Sequence, residues 1–227
     1  MAANRQSVFG SFCSQKKQSL ALASRKFSIL ALAFLLLVPF AAHADTPAAA
    51  APITALDNAL NATMKASATQ SFAMRYAALA PVVDKTFDLV TVLHTVIGLR
   101  WSMLPADQQA TLLTAFRANT IATYVSQFSS DDGTHFVMLP DQRMVGTDVV
   151  VETQIVPTSG DPTRLDYLMR QEADGWHAVD VLLTGTISQA AVQRSDFRSL
   201  LGPNDATRLI ASLKEKTTQL SGGAIVE

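Results

Sequence analysis

Asp180 is the acid in this chain best placed to do chemistry. It stands between Val179 and Val181 in WHAVDVLL, a run of strand formers that follows the turn-like Glu172-Ala173-Asp174-Gly175. A carboxylate held against an apolar cavity has its pKa raised and can act as a general base. The same carboxylate could instead accept hydrogen bonds from Thr184, Thr186 or a nearby arginine and fix a strand end. Base catalysis needs a partner, and the flanking acids Glu152 and Asp166 fall, by strand alternation, on faces opposite the apolar sets. No second catalytic group stands out, which favours the structural role and leaves the catalytic one open.

The histidines offer less. His43 lies in the N-terminal leader, His94 in an apolar helical run, His135 just after a turn and His177 beside Trp176. None forms an H-x-x-x-H pair and Cys13 is the sole cysteine, so neither a zinc site nor another metal centre is expected. Nucleophile elbows of the G-x-S-x-G type, P-loops and dinucleotide fingerprints do not occur, and no cofactor is expected. A larger set of side chains could line a ligand cavity: Phe87, Phe116, Tyr124, Val149, Val151, Tyr167, Met169, Trp176 and Val181. Most apolar residues at such spacings are simply core. A lipid-sized hollow among them would forfeit packing energy unless something filled it.

The elements that position these residues follow from periodicity. PITALDNALNATMKA places Ile53, Leu56, Leu60 and Met64 on one helical stripe. Ser71 is a candidate cap for a short helix running through Met74 and Tyr76 to Leu79. A third helix is expected over 82–97, with Val83, Phe87, Val90, Leu93 and Ile97 as its apolar positions and Gly98 as its end. Leu104-Pro105-Ala106-Asp107 opens a fourth, whose side carries Leu112, Leu113, Phe116, Thr120, Tyr124 and Phe128.

After the turn Asp131-Asp132-Gly133 the period changes to two. Strands are expected at about 134–139, 146–156, 163–171 and 176–184, with a break at Pro140-Asp141. In the last, Trp176, Ala178, Asp180 and Leu182 would share one face. Helices at about 187–200 and 204–219 finish the chain, and residues 221–227 read as a flexible tail. Helices, then strands, then helices is an α+β order. The expected fold is a four-stranded twisted antiparallel sheet covered by helices, with a cavity between the layers.

The first 44 residues set the compartment. Residues 1–26 carry Arg5, Lys16, Lys17, Arg25 and Lys26 and no acid, and the apolar run FSILALAFLLLVPFAA ends at Ala42-His43-Ala44. Those are the marks of a secretory signal peptide cleaved after Ala44. The run is shorter than the roughly twenty residues of a spanning helix. Residues 45–51 read as a Pro/Ala linker and 52–220 as one domain. Removing five bases from 18 Lys+Arg against 19 Asp+Glu leaves 13 against 19, a net charge of −6 on 183 residues. That balance argues against a nucleic-acid partner and against electrostatic docking on anionic lipid. Cys13 leaves with the leader, so the exported chain folds without a disulfide.

Three blocks carry a family resemblance: Val96-Ile97-Gly98-Leu99-Arg100-Trp101 with LPADQQATLLTAFRANTIATYVSQF, Arg164-Leu165-Asp166-Tyr167 with Asp174-Gly175-Trp176-His177-Ala178-Val179-Asp180-Val181, and Gly185-Thr186-Ile187-Ser188 with Gln193-Arg194-Ser195-Asp196-Phe197. In order and spacing they resemble the periplasmic phospholipid-binding proteins of the MlaC type, also called the toluene-tolerance family, over about 53–220. The chain departs from that pattern at Thr184, where the family has Glu, at Gln193, where it has Tyr, and in the extra residue of Gly-Thr-Ile-Ser. The resemblance implies a periplasmic carrier without catalysis. Such a carrier exchanges phospholipid with an inner-membrane lipid transporter and an outer-membrane lipoprotein or porin complex. A branch of the family is associated with hopanoid pathways, so a hopanoid ligand is the alternative it leaves open. Two rivals come from other classes: a small isomerase-like enzyme using Asp180 as base, and an interaction module with a fully packed core.

Overall fold

In the computed structural model, residues 47–226 are described. The expected signal segment, its cleavage site and the first two linker residues lie outside them. Helix α1 (Pro47–Lys65) begins inside the stretch expected as linker, and Ala49 and Ala50 are already buried. Its stripe of Ile53, Leu56, Leu60 and Met64 is buried as the spacing predicts. Ser71 caps α2 (Phe72–Thr86) by accepting a hydrogen bond from the Met74 N–H.

The single helix expected over 82–97 is two. Phe87 is extended (φ −109°, ψ 135°), and Asp88 restarts the chain as α3 (Leu89–Ile97) by accepting from the Thr91 N–H at 2.9 Å. An apolar stripe at helical spacing cannot reveal such a break; the cap chemistry of Asp88 can. The break has a use. Phe87 forms a parallel bridge with Ala178, and the Asp88 N–H donates to the Ala178 carbonyl, so the junction is pinned to the sheet. A 3-10 turn (Gly98–Met103) leads to α4 (Ala106–Gln127), where Leu112, Phe116 and Tyr124 are buried.

Five strands, not four, follow in simple meander order: β1 (His135–Val145), β2 (Asp148–Val156), β3 (Thr163–Glu172), β4 (Gly175–Leu183) and β5 (Ile187–Ser188), all antiparallel. The short β5 occupies the start of the expected fifth helix, which begins instead as α5 (Gln189–Phe197). Pro140-Asp141 does not end β1. The ladder lapses between Met138 and Gln142 and then resumes to Val145. Proline has no N–H to donate, and β1 is an edge strand, where such an irregularity is tolerated. The last helix is α6 (Thr207–Leu220). The segment expected as a loose tail folds back on it, with the Ile225 N–H donating to Ser221 Oγ.

Helix α1 lies across β1 to β4, and α4 packs on α1, α2, α3 and α6. The helix-facing side of the sheet has rows fixed by register: Val149–Met169–Ala178, Val151–Tyr167–Val181 and Thr153–Leu165–Leu183. The opposite side carries ion pairs. Arg164 reaches Glu152 at 2.5 Å and Asp166 at 2.9 Å, and Arg170 holds Asp148 at 2.7 Å. Glu152 and Asp166 are cross-strand partners there, as alternation predicts. Gly185 closes over this cluster with φ +75°, where a Cβ would come within 3.0 Å of Arg164 Nε.

Candidate functional site

Asp180 does not share the face of the sheet that carries Tyr167 and Val181. Val179 is an extra residue in β4: Leu168 pairs with Asp180 while Met169 pairs with Ala178. This bulge reverses the alternation, so Trp176 and Ala178 share a face with Val181 and Leu183, and Asp180 turns to the other side. The expectation that Asp180 shares a face with Trp176 and Ala178 is therefore corrected. Its partners also differ from the threonines anticipated. Oδ1 accepts from the Val181 N–H (2.8 Å) and the Ala190 N–H (3.0 Å), and Oδ2 from Ser188 Oγ. Ser188 in turn caps α5 by accepting from the Ala191 N–H. Asp180 thus satisfies a free N–H at the start of α5 and ties that helix to β4. Both its oxygens are occupied, and it lies on the face away from Tyr167, so nothing in this arrangement suits it to be a base in the interior. Asp180→Ala is expected to lower the unfolding free energy by about 2 kcal/mol, because two N–H groups and a hydroxyl lose their acceptor. Urea melts check this, and a loss below about 0.5 kcal/mol would be too small for such a cap.

The interior side is where the other candidates meet. Val149, Val151, Tyr167, Met169 and Val181 are all at most 7% exposed, and Trp176, opposite Gln171 on the same face, is half-buried. Above them, Phe87 sits 6.3 Å from the Tyr167 ring and 6.0 Å from that of Tyr124. The aromatic line continues from Tyr124 through Phe128 to Phe136 of β1. Phe116 is buried about two turns earlier on α4 and takes no part in these ring contacts. Of the nine expected residues, five are thus buried on the helix-facing side of the sheet, Trp176 is half-buried on that side, Phe87 lies near both Tyr124 and Tyr167, and Phe116 is buried further along α4.

One polar residue in this interior was not anticipated. Asp57 of α1 is 8% exposed, and its Oδ1 is buried without a hydrogen bond. Burial pushes its carboxyl up to about 7. The Tyr167 hydroxyl is buried too, and interacts with that of Tyr124. Burial raises the Tyr124 and Tyr167 phenols too, and the nearby Asp57 charge adds to both shifts. A signal for Asp57 exists in the sequence: it falls at i+4 from Ile53 and i−3 from Leu60, inside the apolar stripe itself.

The histidines sit apart from this interior. His94 packs on Trp101 with ring centroids 4.5 Å apart, and His177 contacts Asp174 at 3.1 Å. Among the described residues no group of three or more His, Cys, Asp or Glu is arranged to hold a metal, and no helix is long and apolar enough to cross a membrane.

The helix-facing side of the sheet is thus an apolar surface with Asp57, Tyr124 and Tyr167 as its buried ionisable groups. No curated protein matches the chain. Among solved structures it is similar to a phospholipid-binding protein from Ralstonia solanacearum, determined in complex with a phospholipid. The two share 21% identity at a TM-score of 0.65, over 77% of this chain and 99% of that one, which establishes the common fold. Residues 54–215, most of the described chain and every sheet–helix contact discussed above, match the MlaC protein family, and the chain belongs to that family.

Proposed function

We propose that this protein is a periplasmic carrier that holds the acyl chains of a phospholipid between the helix-facing side of the sheet and the helices. It passes the lipid between complexes in the two membranes. The observation that carries this reading is the apolar wall Val149, Val151, Tyr167, Met169 and Val181, faced by Phe87 and Tyr124, in the fold of a protein solved with a phospholipid. The energetics favour such a device. At about 0.8 kcal/mol per buried CH₂, acyl chains are too costly to expose while crossing water, and an apolar interior removes that cost. The headgroup needs no charged clamp, because it can stay in solvent.

Lipid extraction and native mass spectrometry of protein purified after export test the reading. About one equivalent of co-purifying phospholipid is expected. Protein that emerges lipid-free and takes up none from vesicles would be an interaction module with a solid core instead.

A further inference from the structure

We infer that the Asp57–Tyr124–Tyr167 cluster is a binding site for an uncharged hydroxyl group carried on the hydrophobic part of the ligand. The inference rests on the carrier reading above and specifies the kind of lipid it prefers. Asp57 Oδ1 on α1 is buried without a hydrogen bond, and the buried Tyr167 hydroxyl on β3 interacts with that of Tyr124 on α4, a pair in which one O–H remains free to donate. A buried carboxyl oxygen without a partner is costly, so a group that pairs with Asp57 and takes up the spare proton of the tyrosine pair is favoured there over plain hydrocarbon.

The chemistry of the cluster narrows the class. Tyr167 OH can donate or accept. Asp57 accepts as a carboxylate and can also donate as an acid, and its carboxyl, raised to about 7, populates both forms near neutrality. An ester carbonyl only accepts, and leaves the carboxylate form of Asp57 unpaired. A hydroxyl donates and accepts at once, and so fits either form of Asp57 together with the phenol. A charged group is disfavoured, because the cluster is buried and its own groups are held towards their neutral forms. The hydroxyl could lie close to a headgroup, as on a hydroxylated or singly acylated lipid, or near the far end of the hydrocarbon.

Competition against a bound fluorescent fatty acid distinguishes these sources. The probes are palmitate, 2-hydroxypalmitate and 16-hydroxypalmitate, with a diacyl phospholipid as reference, on the delipidated exported protein. An apolar hollow without a partner for the hydroxyl would penalise the 16-hydroxy acid relative to palmitate by about tenfold or more, while a 2-hydroxyl left in solvent with the head would show a ratio that neither variant below changes. The expected result is that one hydroxy acid binds at least as tightly as palmitate. Preference for the 2-isomer would put the hydroxyl beside the head, and preference for the 16-isomer at the far end. In Tyr167→Phe and in Asp57→Leu the affinity ratio of that isomer to palmitate is expected to fall about tenfold. Tyr167→Phe keeps the ring and removes only the oxygen, so it guards against a folding artefact. Two results overturn the inference while leaving the carrier reading intact: both hydroxy acids binding about tenfold weaker than palmitate, or a ratio unchanged in both variants, as when water satisfies the cluster. Failure of every probe, phospholipid included, would overturn the carrier reading itself.

Discussion

Val151→Glu is expected to abolish lipid retention, taking occupancy from about one equivalent to below a tenth. Val151 is fully buried in the middle of the helix-facing side, paired with Gln142 on one flank and Tyr167 on the other. A carboxylate there must either keep its charge against hydrocarbon or take up a proton, and either costs several kcal/mol in the loaded state. A tenfold loss needs only about 1.4 kcal/mol. Tyr167→Glu, in the neighbouring strand of the same row, is expected to do the same. Because a buried glutamate can also unfold the protein, Val151→Phe separates the causes. If acyl chains occupy the space beside Val151, a phenyl group fills it and displaces lipid while the melting temperature holds or rises. If that space is already packed with protein, the larger ring overpacks it and costs about 1–3 kcal/mol of stability. Full lipid occupancy in all three variants would mean the ligand does not lie on this face.

The contrast between what the sequence revealed and what it concealed follows the range of the interactions. Apolar periodicity located α1, α4 and the three central strands because each buries one side, and burial imposes period on sequence. It could not see the bulge at Val179, since a run in which both faces are apolar reads the same with or without an inserted residue. That one residue decides the role of Asp180: it carries the side chain to the capping position at α5, a contact set by a turn of chain that comes later. The apolar stripe puts Phe87 on a helix, whereas it reaches Tyr167 from an extended link bridged to Ala178. Pro140 reads as a strand end because proline interrupts ladders, yet an edge strand can absorb the interruption. Asp57 is legible as an acid inside the stripe of Ile53, Leu56 and Leu60, but its proximity to Tyr124 and Tyr167 comes only with the tertiary arrangement.

Asp57 is also the source of the second large effect, on stability as a function of pH. Its carboxyl titrates near 3.8 when unfolded and at about 7 when folded, burial being the cause. The folded pKa of this acid is raised, so the folded state binds the proton more tightly. Stability is therefore full below the unfolded pKa, falls as pH rises from about 4 to 7, and levels off above that window. The whole span amounts to roughly 4 kcal/mol, of which about 3 kcal/mol falls between pH 5 and pH 8. Asp57→Asn keeps the shape and removes the titration. Its stability relative to the parent protein is expected to climb by about 3 kcal/mol from pH 5 to pH 8, a rise to which the other acids contribute nothing because they are common to both proteins. Urea melts of the two delipidated proteins across that range give the difference directly. Parallel curves would mean that Asp57 reaches water in the folded protein, and would remove the buried carboxyl from the ligand site as well.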